Sequence, residues 1–207
     1  DAAEGPDWRG IGNVAALDAG DIVADAVTLD ATGEINPGTA TPFSGAVRLE
    51  AEGVDAPPDP ALAAVIGPRL RLQTDVAAAV DGAISLRALT LETPHATARG
   101  LVDVTPTDGR VQVAVDVAAD VPALAPFSEI AGLPLEGTVT ANVTVEAELP
   151  GGAIAVTLEG RSQRLDIGQP VIAPLISPDT QLAFAIRRDD QGTRIERLTL
   201  ANREVSL

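Results

Sequence analysis

Alternation with a period of two residues constrains this chain more than any other feature. Val111, Val113, Val115 and Val117 alternate with Gln112, Ala114, Asp116 and Ala118. Val139, Ala141, Val143, Val145, Ala147 and Leu149 alternate with Thr138, Thr140, Asn142, Thr144, Glu146 and Glu148. Ile154, Val156 and Leu158 repeat the pattern, as do Leu182, Phe184 and Ile186. Successive side chains of a strand point to opposite faces. Each segment therefore has one apolar face and one that tolerates water. That is the signature of antiparallel sheet, because strands of a parallel sheet covered on both sides read as continuous apolar runs. The chain is expected to be all-β, with about a dozen strands.

Turn chemistry punctuates the strands. Asp81-Gly82, Asp108-Gly109, Gly151-Gly152 and Gln191-Gly192 mark hairpins. Segments 60–68, 122–132 and 170–178 break the alternation. Each opens with Pro, carries a small apolar cluster and closes with Gly or Pro, which predicts one or two helical turns. Each precedes another alternating strand, beginning at Leu70, Leu135 and Leu182. A second echo links Ala88-Leu-Thr-Leu-Glu92, Arg197-Leu-Thr-Leu-Ala201 and Ala26-Val-Thr-Leu-Asp30. Together they suggest loose sub-repeats near 1–80, 81–132 and 133–207, in the manner of an array.

Charge and composition narrow the functional classes. With 14 basic and 30 acidic residues the net charge is −16, and every basic residue is Arg. The longest basic run, Arg187-Arg188, meets Asp189-Asp190 at once. Nucleic acid demands a basic stripe, so it is not an expected partner. The chain has no Cys, which removes thiol catalysis, disulfides and thiolate metal sites. Trp8, Phe43, Phe127 and Phe184 are the only aromatics, too few for a stacking platform. No run of purely apolar residues is long enough for a transmembrane helix. No leader segment is recognisable, and the opening residues read as an internal section of a longer protein.

Residues that could carry chemistry are sparse. His95 is the single histidine, so neither a Ser–His pair nor a multi-histidine metal site is indicated. Asp18, Asp21, Asp25 and Asp30, Asp55 and Asp59, and Asp189 and Asp190 form acidic groups. Paired carboxylates can hydrolyse glycosides, but Asp more often marks turns, where its side chain bonds local N–H groups. None matches an EF-hand, and only weak calcium binding at Asp189-Asp190 is conceivable. No GxSxG, GxxxxGK[ST] or GxGxxG motif occurs. No catalytic residue, metal ligand or cofactor is assigned, and the chain is expected not to be an enzyme.

What remains is the apolar face. Two architectures hide such a face: a closed sandwich of two sheets, or one long sheet curled into a trough. The candidate lining residues are Val111, Val113, Val115, Val117, Val139, Val143, Val145, Ile154, Val156, Leu158, Leu182, Phe184 and Ile186. A trough of branched aliphatics would suit flexible acyl chains, which need area and few hydrogen bonds. A sandwich would instead suit a structural or adhesive module of a secreted or surface protein.

The succession of motifs resembles the TamB proteins of the AsmA-like superfamily. It includes Leu86-x-x-Leu-Thr-Leu91 followed by Ala98-Arg-Gly-Leu-Val-Asp-Val104, and Val121-Pro-Ala-Leu-Ala-Pro126 followed by Leu133-Pro-Leu-Glu-Gly-Thr-Val139. It continues through Leu158-Glu-Gly160, Leu182-Ala-Phe-Ala-Ile186 and Ile195-Glu-Arg-Leu-Thr-Leu200. The resemblance implies a long curled antiparallel sheet forming an open apolar trough, the β-taco, with short helical inserts. It implies a periplasmic location, with the full-length protein anchored in the inner membrane. It implies phospholipid acyl chains as cargo moving between the two membranes of a Gram-negative bacterium. It further implies a role in outer-membrane protein assembly, with the barrel protein TamA as a partner of other parts of the chain. Residues 1–207 would be an internal segment of such a protein.

Overall fold

The computed structural model describes residues 6–18, 22–56, 59–169 and 179–202. Within them the chain is all-β. The strands are β1 (Asp7–Asp18), β2 (Val23–Ile35), β3 (Phe43–Glu52), β4 (Arg69–Ala78), β5 (Ile84–Glu92) and β6 (Thr97–Thr107). They continue as β7 (Arg110–Val121), β8 (Glu136–Leu149), β9 (Ile154–Asp166), β10 (Asp179–Asp189) and β11 (Gly192–Asn202). All 11 lie in one sheet, in sequence order, each antiparallel to the next. The sheet is open and at most weakly curled. At about 4.8 Å between neighbouring strands, it extends on the order of 50 Å across the strands.

The sequence's turn signals fall where the chain reverses. Asp81-Gly82 joins β4 to β5, Asp108-Gly109 joins β6 to β7, and Gly151-Gly152 follows β8. Gly82, Gly109 and Gly151 have φ of +85°, +78° and +74°, a region open to glycine at little steric cost. Asp81 accepts the Ala83 N–H at 3.0 Å, and Asp189 accepts that of Gln191 at 3.0 Å. These are the local bonds that make Asp a turn residue.

Two helical inserts occur where the alternation breaks. Helix α1 (Pro60–Ile66) starts with Pro at its first position, and Asp59 caps it by accepting the Leu62 N–H at 3.0 Å. A single 3-10 turn (Ala125–Phe127) runs into the short helix α2 (Ser128–Ala131), which ends at Gly132 in the left-handed conformation. The third segment, 170–178, lies outside the described residues. The α1 and the Ala125–Ala131 inserts sit at the same end of the sheet, after up-going strands β3 and β7, and they touch each other. Their contact spans the ends of β4 to β7.

Four bulges interrupt the ladder: in β4 against β5, β5 against β6, β8 against β9, and β10 against β11. A bulge bends a strand and increases its twist. At the first, the Thr74 hydroxyl reaches the Arg87 carbonyl at 3.1 Å and the Asp75 carbonyl at 3.2 Å. Thr74 is only 3% exposed. Its hydroxyl is satisfied locally, so a polar residue sits on the apolar face without an orphaned group.

The closed core is small. Ala24, Ala51 and Val54 form a buried cluster against which Val27, Leu49, Ile66 and Leu70 pack. Ile66 brings α1 onto the tops of β2, β3 and β4. At the other end, Trp8 stacks on Phe43 with ring centroids 5.5 Å apart. The Trp8 ring lies over Gly33, whose neighbour across the ladder is Gly45. Two glycines side by side make the room that this indole fills.

Candidate functional site: the apolar face

The register aligns the apolar residues into rows that cross most of the sheet. One row runs Leu89, Gly100, Val117, Val143, Leu158, Phe184, Leu198 from β5 to β11. The next runs Val76, Leu86, Val102, Val115, Val145, Val156, Ile186, Ile195 from β4 to β11. Paired residues of an antiparallel ladder face the same side. All 13 lining residues expected from the sequence therefore share one face. Val111 pairs with Leu149, Val113 with Ala147, and Val139 with Ser162. Ile154 opposes Ala147 on one side and Arg188 on the other.

The face extends further than those residues. Leu29, Leu49, Leu72 and Leu91 continue it through β2 to β5 in a single row. These positions escaped the sequence reading because alternation in the first third is diluted by Gly and Ala. The Ala26-Val-Thr-Leu-Asp30 echo was the available signal, since it places Val27 and Leu29 on alternate positions.

Among the described residues no second sheet covers this face. The lining residues are half-buried by their own neighbours in the layer, and Leu182 is exposed at 38%. Among the described residues the buried apolar ones, Ala24, Ala31, Ala51, Val54 and Ala56, are small and gather in the first third of the chain. A sandwich would instead hide Val115, Val143 and Val156 at its centre. The closed sandwich left open by the alternation is therefore not the architecture. The apolar face is that of one open, at most weakly curled sheet, with α1 at the strand ends between β3 and β4.

The opposite face is polar and laced with exposed ion pairs. Arg71 meets Glu50 at 3.4 Å and Arg69 meets Glu52 at 3.4 Å, each directly across β3 and β4. Arg87 meets Asp103 at 2.8 Å, and Arg197 meets Glu159 at 3.0 Å across the intervening β10. Arg110 bonds Glu148, whose hydrogen bond and charge raise the Arg110 pKa above its ordinary value. Exposed pairs of this kind contribute little to stability. They fix which side is wet more than they hold the fold. A shallow hollow of about 810 Å³ lies on this side, where Arg99, Asp120, Asn142, Glu159 and Arg161 stand around Ala118 and Ala183.

Several residues considered for chemistry make local structural bonds, and Asp21 lies outside the described residues. His95 lies in the turn between β5 and β6, where Thr93 Oγ1 accepts the N–H groups of His95 and Ala96. Asp55 accepts the Ala56 N–H, and Asp59 caps α1. The Asp189 carboxylate holds Arg194 at 2.8 Å, which competes with any cation there. Among the described residues no group of three potential metal ligands is found, and no helix is long and apolar enough to cross a membrane.

No protein-family model, curated protein or solved structure matches this chain.

Proposed function

We propose that the apolar face is a lipid-handling surface. In this reading the chain supports phospholipid transport between the inner and outer membranes, and outer-membrane protein assembly, as the TamB resemblance implies. One observation carries the proposal: a continuous apolar face crosses 11 strands with no second layer over it among the described residues. Apolar surface left in water is costly at roughly 25 cal/mol per Å², and large exposed patches mark interaction sites. An acyl chain gains about 0.8 kcal/mol per CH₂ removed from water. It gains far less relative to a bilayer, which favours passage over storage. The broad face offers area and few hydrogen-bonding groups, which fits acyl chains better than a polar ligand. TamA would be met by other parts of a longer chain, and the location would be periplasmic with an inner-membrane anchor.

Lipid extraction and native mass spectrometry of the purified chain test the reading. Phospholipid should copurify, and Val113→Asp or Val143→Asp should remove it while the far-ultraviolet circular dichroism stays that of a sheet. A lipid-free wild-type chain, recovered from membrane-containing lysate, would overturn it.

A further inference from the structure

Each strand of this sheet packs chiefly on the strands beside it. In a stack of that kind a unit is coupled only to its neighbours, and stability is local. The contact between α1 and the Ala125–Ala131 insert is different in kind. It ties the β3–β4 connection to the β7–β8 connection, which the sheet keeps four strands apart. Four strand spacings come to about 19 Å. The seven residues of α1 rise about 10 Å, and the 3-10 turn with α2 rises about 12 Å. The two pieces together match the span, and neither reaches across it alone.

Each piece is moored on its own side. Ile66 of α1 packs on Ala24, Ala51 and Val54, and the Val54 N–H donates to the Pro68 carbonyl at 3.2 Å. The Leu124 N–H, just before the insert, donates to the Gly137 carbonyl at 2.9 Å, and Ser128 Oγ accepts the Leu135 N–H at 2.9 Å. The β5–β6 turn stands against the end of α1: a β-carbon added at Gly67 would lie 3.0 Å from the Pro94 ring and 3.4 Å from that of His95. Residues 60–68 carry no charge, and Glu129 is the one charge in 121–135. Leu62, Val65, Pro126 and Phe127 are half-buried. The join between the pieces is therefore apolar and, in a chain without Cys, reversible.

We infer that α1 and the Ala125–Ala131 insert form a two-part clasp across the ends of β4 to β7, which makes these four strands one cooperative unit. Closed, the clasp fixes how far the sheet opens at this end. Open, each strand pair is free to twist on its own. The inference concerns the shape of the sheet and stands whether or not its apolar face takes lipid.

Glu52, at the end of β3, and Glu136, at the start of β8, are both exposed. Glu52→Cys and Glu136→Cys in the full chain give one pair of spin labels, whose separation is read by pulsed dipolar spectroscopy. One clasp variant carries Pro126→Ser and Phe127→Ser, and the other carries Leu62→Ser and Val65→Ser. In both, the distance distribution should broaden and move to longer separations. Hydrogen exchange should quicken about tenfold in the piece left unaltered, Pro60–Ile66 in the first variant and Ala125–Ala131 in the second, with β1 and β9 to β11 unchanged. An unchanged distance distribution, or exchange that quickens only in the altered piece, would overturn the inference. So would loss of slow exchange throughout β7 and β8 in both variants, since the inserts would then be core and not a clasp.

Discussion

A β-carbon added at Gly100 would lie 2.8 Å from the Val117 Cα and overlap the Asp116 carbonyl oxygen on the neighbouring strand. Gly100 sits in the row of Val117 and Val143, so its lack of a side chain lets β6 and β7 approach closely beneath the apolar face. Gly100→Ala should destabilise by about 1–3 kcal/mol, the usual range for overpacking, read from the urea midpoint. Val143→Asp should behave differently. The site is half-buried in an uncovered layer, and a carboxylate there can reach water. A loss of about 1–2 kcal/mol is expected, against several for an unpaired charge in a closed core. Complete unfolding of Val143→Asp would mean that the face is covered. At this scale the sequence was readable wherever Val alternates with Thr, Asn or Glu. It was not readable at Gly100 or Thr74, because their roles depend on which backbone passes beside them.

Elements follow from local chemistry to differing degrees. The hairpins at Asp81-Gly82 and Asp108-Gly109 were legible because φ above zero selects glycine. Helix α1 was legible from its opening Pro60 and closing Gly67. Asp59→Ala should cost about 1 kcal/mol by removing the cap bond to Leu62. Faster hydrogen exchange in Pro60–Ile66, with little change in β7 to β11, is the expected readout. The contact between α1 and the Ala125–Ala131 insert was not legible, since it joins segments about 60 residues apart across four intervening strands. The four bulges were equally hidden. Alternation continues on either side of each, and only the partner's register reveals the extra residue.

For the whole molecule, pattern alone allowed one sheet or two, because both bury an apolar face at every second residue. The strand order decides it: among the described residues each strand lies beside its predecessor, from β1 through β11, and no strand belongs to a second layer. A compact pair of sandwiches and a single layer about 50 Å across the strands also differ in solution. Small-angle scattering should give a flat, extended particle. Whether this layer presents its valine side to acyl chains can be read from a face-resolved quenching measurement. The chain has no Cys, so a single cysteine can be placed at Val143, and in a second variant at the neighbouring Asn142, which faces the polar side. Each carries a small fluorophore and is mixed with phospholipid brominated on its acyl chains. Strong quenching is expected at 143 and little at 142. Equal quenching at the two positions, or none at 143, would contradict it.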